Sequence, residues 1–232
     1  MRSFLIAALA AATLSATPAG AATRNFGITS FQKVRVEGPF RVTLRTGVPP
    51  YARAVGSQAA LDRVDIDTSG NTLTIRNSRS ARGGYKGQDT GTVEIMLGTH
   101  ELSSAWMSGS GTIAIDRVKG QTFDLAVNGS GGVEVGDARV DELIVNLAGT
   151  ASALLAGEAG KVTVLVRGVS SLAAGALNAD NAVLTADGAA TIEASVSDTV
   201  KVDASGPATV RLGGRPSCIL KVSGSAEVSG CR

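Results

Sequence analysis

Glycine returns along the second half of this chain at Gly109, Gly129, Gly149, Gly168, Gly188, Gly206 and Gly224, at spacings of 18 to 20 residues. A repeat this short confines the chain to architectures that stack copies of one small unit, because about 20 residues cannot bury an apolar face alone. Apolar columns keep step with the glycines. Four residues after each stand Ile113, Val133, Ala153, Leu172, Ile192, Val210 and Val228. Four residues before them, from Gly129 onward, stand Leu125, Val145, Val164, Leu184, Val202 and Leu220, and two before stand Val127, Leu147, Val166, Ala186, Ala204 and Val222. Between these columns lie mostly small or polar residues such as Ala126, Asn146, Thr185 and Lys221. Successive strand side chains point to opposite faces, so the alternation puts one set inside and the other in solvent. The repeated glycine supplies the positive φ of a tight turn, as in Asn128-Gly129-Ser130-Gly131.

Helix formers are not grouped at a 3.6-residue period after the first 21 residues, so the chain reads as all-β. The spacing predicts a parallel β-helix or β-solenoid with coils of about 20 residues, right-handed by the chirality rule for parallel connections. A β-sandwich is the alternative, since regular short strands suit it as well. The first half carries a degenerate version of the unit. Val36-Glu37-Gly38-Pro39-Phe40-Arg41-Val42 reads like Ala204-Ser205-Gly206-Pro207-Ala208-Thr209-Val210, and the stretch around Gly70 does so more loosely. Residues 29–232 therefore read as one domain, with degenerate coils over 29–105 and regular coils over 106–232, after an N-terminal extension at 22–28. The stretch from Ser78 to Thr90 breaks the period and reads as an exposed loop.

The chain opens with Arg2, an apolar run from Phe4 to Ala12 and the small residues Ala19-Gly20-Ala21, the layout of a signal peptide over 1–21 cleaved before Ala22. No later stretch is long and apolar enough to span a bilayer, and no cysteine stands near the cleavage site to carry a lipid. The expectation is an exported protein of the periplasm or cell surface, not membrane-embedded. Of 22 Lys and Arg the leader removes Arg2, leaving 21 bases against 20 acids. That near-neutral balance lacks the concentrated positive field of a nucleic-acid binder. Cys218 and Cys231 are the two cysteines, and in an exported chain they are expected to pair and fasten the last coil.

The run from Phe31 to Val42, the Gly-Ser-Gly turns and the ending Val222-Ser223-Gly224-Ser225-Ala226-Glu227-Val228 resemble the GIN-domain family, described as auto-transporter adhesin head domains of unknown function. The resemblance covers nearly the whole mature chain. It implies an exported β-helical domain and carries over no functional residue.

Catalytic and ligating patterns are sparse. His100 is the sole histidine, which excludes a His-rich metal site, and it reads as a turn residue. Trp106 reads as a packing residue rather than a sugar platform. Asp124, Glu134, Asp137, Asp141 and Glu142 fall on adjacent coils and read as a solvated face, with Asp124 and Glu134 placed to face solvent together. No cofactor is implied. Positive charge gathers locally at Arg76, Arg79, Arg82, Tyr85 and Lys86, where Arg79, Arg82, Tyr85 and Lys86 are the candidate ligand contacts, suited to anionic glycan or head groups. The leading reading is a non-catalytic envelope module, adhesin-like or structural, that binds glycan or protein. The alternative is a polysaccharide-active β-helix enzyme, which would need a carboxylate pair in a cleft. A third reading, a subunit that stacks through its terminal strands, is opposed by the disulfide expected in the last coil.

Overall fold

The computed structural model describes residues 21–78 and 91–232. Along the chain run β1 (Ala22–Phe26), β2 (Lys33–Glu37), β3 (Arg41–Thr46), β4 (Tyr51–Gly56), the short helix α1 (Gln58–Leu61), β5 (Val64–Ser69), β6 (Thr72–Asn77), β7 (Glu94–Thr99), β8 (Ser104–Gly109) and β9 (Thr112–Ile115). Then come β10 (Val118–Gly129), β11 (Gly132–Gly149), β12 (Ser152–Gly168), β13 (Ser171–Asp187), β14 (Thr191–Ser205), β15 (Thr209–Gly213), β16 (Ser217–Ser223) and β17 (Glu227–Ser229).

These strands form a parallel β-solenoid. Each regular coil has three sides, which β11 shows in sequence: Gly132–Val135 on one side, a short second side at Ala138–Val140, and a long third side from Glu142 to Gly149. Every coil pairs in parallel with the next, and the columns read from the sequence are the pairs found. Leu125, Val145, Val164, Leu184, Val202 and Leu220 stack in register, as do Val42, Ile113, Val133, Ala153, Leu172, Ile192, Val210 and Val228. Parallel coil-to-coil pairing excludes the β-sandwich. Buried and exposed residues alternate along each side, and all the buried apolar side chains join one core. Each buried Val, Leu or Ile contributes about 1.5–3 kcal/mol, which a lone coil with both its neighbours missing would forgo.

The corner glycines stack as well. Gly109, Gly129, Gly149 and Gly168 all have positive φ, and a Cβ on Gly149 would lie 2.6 Å from the Gly129 carbonyl oxygen. That approach lets consecutive coils close at the corner.

The N-terminal half departs from chain order. β2 pairs in parallel with β8 on one edge and β6 on the other, while β3 lies between β9 and β7. The chain thus builds the β2–β3 coil, adds the β6–β7 layer beyond it, and crosses back to lay β8–β9 on the opposite edge. Gly38 falls beside Gly109 in the ladder, as the likeness of 36–42 to 204–210 predicts. The looser alignment around Gly70 is not kept. Gly70 turns the antiparallel hairpin β5–β6, and Asn77 takes the place next to Gly38.

Antiparallel strands close this end. β4 pairs with β7, and β1 pairs with β4, so residues 22–26 join the sheet. Helix α1 begins at Ser57, whose hydroxyl accepts from the Ala60 amide at 3.2 Å, and it buries Ala60 and Leu61. Arg24 secures β1 by donating to the Leu61 carbonyl at 3.0 Å and pairing with Asp62. At the other end Cys218 and Cys231 form a disulfide with Cα atoms 5.8 Å apart. Cys218 stacks on Val200 in the inward column, as its sequence position implies, and is half-buried.

Candidate functional site

On the outer face of the side formed by β3 and β9, side chains shrink and leave a groove. Two outward ladders run across the coils. One is Arg41, Thr112, Gly132, Ser152 and Ser171; the other is Thr43, Ala114, Glu134, Leu154 and Ala173. Gly132, Ala114 and Ala173 contribute little or no side chain, so the strands lie open there. The result is a trough of about 500 Å³ that spans five coils, with Arg41 towards one end and Leu154 exposed along it. Ser152, Ser171, Thr43 and Thr112 add hydroxyls along its length. Arg41 is also held at 3.5 Å from Glu94. Glu134 is the one carboxylate among the groove's lining residues.

The groove can take an extended chain laid across the strands. Its floor offers van der Waals contact at small residues, its hydroxyls donate and accept, and Arg41 and Glu134 supply one fixed charge of each sign. A paired-carboxylate hydrolysis would need a second acid beside Glu134. Sequence reasoning did not find this site. Its signal is the loss of bulk in two outward columns, which is visible only once the register of β3 against β9 and β11 is known.

The acids named from the sequence separate. Asp124 and Glu134 are both exposed, but Asp124 pairs with Ser104 and Ile144 on the long side, whereas Glu134 pairs with Ala114 and Leu154 on the groove side. A difference of ten residues is half a coil, and so carries the two to different sides. Asp137 is bound by Arg139 at 3.2 Å and Glu142 by Lys161 of the next coil at 2.9 Å. These pairs are solvent-exposed and each is worth less than about 1 kcal/mol. Among the described residues no group of three or more His, Cys, Asp or Glu is placed to hold a metal.

Trp106 lies on the outer face of the long side rather than in the core. The Arg35 guanidinium stacks over its ring at 3.9 Å while Arg35 Nε donates to Glu37 at 2.7 Å. The indole face is thus occupied by a cation. His100 is exposed in the turn after β7, beside a small cleft of about 160 Å³ with Ser30, Gln32, Asn71 and Glu101. Of the basic cluster, Arg76 pairs with Asp65 at 2.9 Å across the β5–β6 hairpin. Arg79, Arg82, Tyr85 and Lys86 lie outside the described residues.

Residues 30–216 match the model of a family described as "Putative auto-transporter adhesin, head GIN domain". The chain belongs to this GIN-domain family. Solved structures agree on the fold. A "putative adhesin" from Bacteroides fragilis NCTC 9343 is 17% identical, with a TM-score of 0.77 over 91% of this GIN domain chain and 94% of its own. A "Putative lipid binding protein" from Parabacteroides distasonis ATCC 8503 is 17% identical, with a TM-score of 0.73 over 90% and 96%. A "putative adhesin" from Parabacteroides merdae ATCC 43184 is 17% identical, with a TM-score of 0.64 over 90% and 95%. No curated protein matches the chain. Among the described residues no helix is long and apolar enough to cross a membrane.

Proposed function

We propose that this GIN domain is a non-catalytic, exported module of the cell envelope that binds an extended glycan chain in the groove on its β3–β9 side. The observation that carries the reading is the trough itself: five coils of small and hydroxyl-bearing residues in register, with Arg41 and Glu134 as its charged contacts. A repeated shallow surface suits a repeating ligand, because each coil can meet one stretch of the chain and weak contacts accumulate. The adhesin names of the family and its structural neighbours agree with a binding role. The single groove carboxylate supports binding over glycosidic cleavage. The disulfide fits an oxidising compartment.

The test is a glycan array and cell-envelope pull-down with three proteins: the wild type, Ala114→Trp to fill the groove, and a variant with Arg79, Arg82 and Lys86 all changed to Ser. Saturable binding lost in Ala114→Trp and kept in the triple variant is expected. The reverse pattern would move the site to the basic loop. No glycan binding by the wild type would sink the reading.

A further inference from the structure

The face that carries the groove continues past β3. Across the strands, the outward ladder of Glu134, Ala114 and Thr43 runs on through Met96 of β7 to Arg53 of β4 and Asn25 of β1. Two residues along the strands, Tyr51 of β4 and Arg45 of β3 stand on either side of Gly98. Gly98 is buried in an outward position because the Cδ1–Cε1 edge of the Tyr51 ring, with Val48 beside it, fills the space where a Cβ would stand. The ring therefore leans from β4 over β7 towards Arg45, and Tyr51 is still 39% exposed.

Tyr51 also borders a cleft of about 370 Å³, lined with Asn25, Phe26, Pro50 and Arg53. Arg53 Nε donates to Asn25 Oδ1 at 3.2 Å, which orients the guanidinium and leaves both its terminal amino groups without a partner among the described residues. Arg45 is exposed, and among the described residues its side chain has neither a hydrogen-bond nor an ion-pair partner. The carboxylates of this stretch are occupied. Glu94 pairs with Arg41 at 3.5 Å, and Asp116 Oδ1 accepts the amides of Thr46 and Arg117 at 3.0 and 2.6 Å. Two cations with unused donors thus flank an exposed aromatic ring beside a cleft.

We propose that this cleft extends the groove by one subsite and holds an acidic sugar, a uronate whose ring packs on Tyr51 and whose carboxylate is taken by Arg53, with Arg45 adding charge from across the ring. The assignment rests on the glycan reading of the groove and gives that ligand its chemical class. A carboxylate accepts two parallel N–H bonds from one guanidinium, and the free terminal amino groups of Arg53 offer that fork. A sugar ring has an apolar C–H face and a hydroxyl edge. Tyr51, Phe26 and Pro50 match the face, and the Asn25 side chain matches the edge. A neutral residue would leave the fork unused, and an amino sugar would be repelled by it. Neighbouring strands lie about 4.8 Å apart, so Arg53 stands about 10 Å beyond Thr43, where the groove begins. An extended chain in the groove covers that span by passing over Met96.

Isothermal titration calorimetry tests the assignment, using oligomers of galacturonate and of mannuronate, each beside its carboxyl-reduced neutral counterpart. The wild type should bind at least one uronate oligomer about tenfold or more tighter than the reduced form, with the difference shrinking at high salt. Arg53→Gln should erase that preference, whereas Arg167→Gln, which removes the same charge from the long side, should leave it intact. Tyr51→Ala should weaken the acidic and reduced forms alike, about tenfold. Should that variant fail to fold, the exposed Arg53→Gln change still decides the matter. Ala114→Trp should weaken both forms, because it fills the groove that leads to the cleft. Equal binding of the two forms, or a preference that survives Arg53→Gln, would overturn the acidic subsite. If such equal binding is still lost in Ala114→Trp, the groove reading stands without it. An absence of binding to every oligomer would overturn the subsite as well, and the glycan array then decides the groove reading by itself.

Discussion

A Cβ on Gly149 would meet two separate penalties, and the structure offers a way to part them. Its φ of +97° lies where L side chains are strained, and its missing Cβ would press on the Gly129 carbonyl at 2.6 Å. Gly47 has φ of +73° and nothing within 4 Å of the same virtual atom. Gly47→Ala should therefore lose about 1–2 kcal/mol from the left-handed conformation alone. Gly149→Ala should lose a further ~1–3 kcal/mol, because two packed backbones have to part. Urea denaturation of both variants against the wild type measures the difference; equal losses would mean that the ladder does not rely on glycine for its close approach. This ladder was legible in the sequence because one residue type returned at one period. The groove was not, because Ala114, Gly132 and Ser152 each look like ordinary outward residues until the register aligns them. Trp106 was read as a packing residue, and the pattern could not show that what covers it is the Arg35 guanidinium on the outer face.

At the scale of the element, the last coil carries a covalent link of its own. Cys218 and Cys231 are 13 residues apart, a loop whose closure is worth about 3 kcal/mol in the chain-entropy model. In a stack where each coil touches only its neighbours, that loss should stay local. Replacing both cysteines by Ser should expose the amides of β16 and β17 to rapid hydrogen exchange while those of β12 and β13 remain as slow as in the wild type. Faster exchange throughout would show the coils to be coupled more tightly than nearest-neighbour packing implies. The pairing was legible because Cys218 sits in a column, Phe123, Leu143, Val162, Ala182 and Val200, whose direction is known. The hairpin at Gly70 was not. A glycine with positive φ serves a β5–β6 turn as well as it serves a coil corner, and period-two alternation is the same for parallel and antiparallel neighbours.

At the scale of the whole molecule, the N-terminal end of the stack is finished by antiparallel strands, and β1 is the outermost strand on β4. The crossing of the chain from β7 back to β8, and the capping by β1, β4, β5 and α1, left no periodic trace, so residues 22–28 read as an extension although Ala22–Phe26 are a strand of the sheet. β1 lies on β4 over its full length, from Ala22 against Gly56 to Phe26 against Ala52, and Phe26 and Ile28 pack on the core. Its removal would bare the edge of β4 and part of the apolar end together. An edge of that kind pairs with other chains. Deleting 22–26 should therefore leave the central coils folded, with an unchanged far-ultraviolet circular dichroism minimum, yet drive concentration-dependent association above that of the wild type, measured by light scattering. Cutting the Arg24 ties to Leu61 and Asp62 by Arg24→Ala should produce a weaker form of the same effect, since the strand then frays without being lost. If the deletion variant scatters no more than the wild type, β4 is protected by its own twist and charge, and β1 adds length to the sheet without capping it.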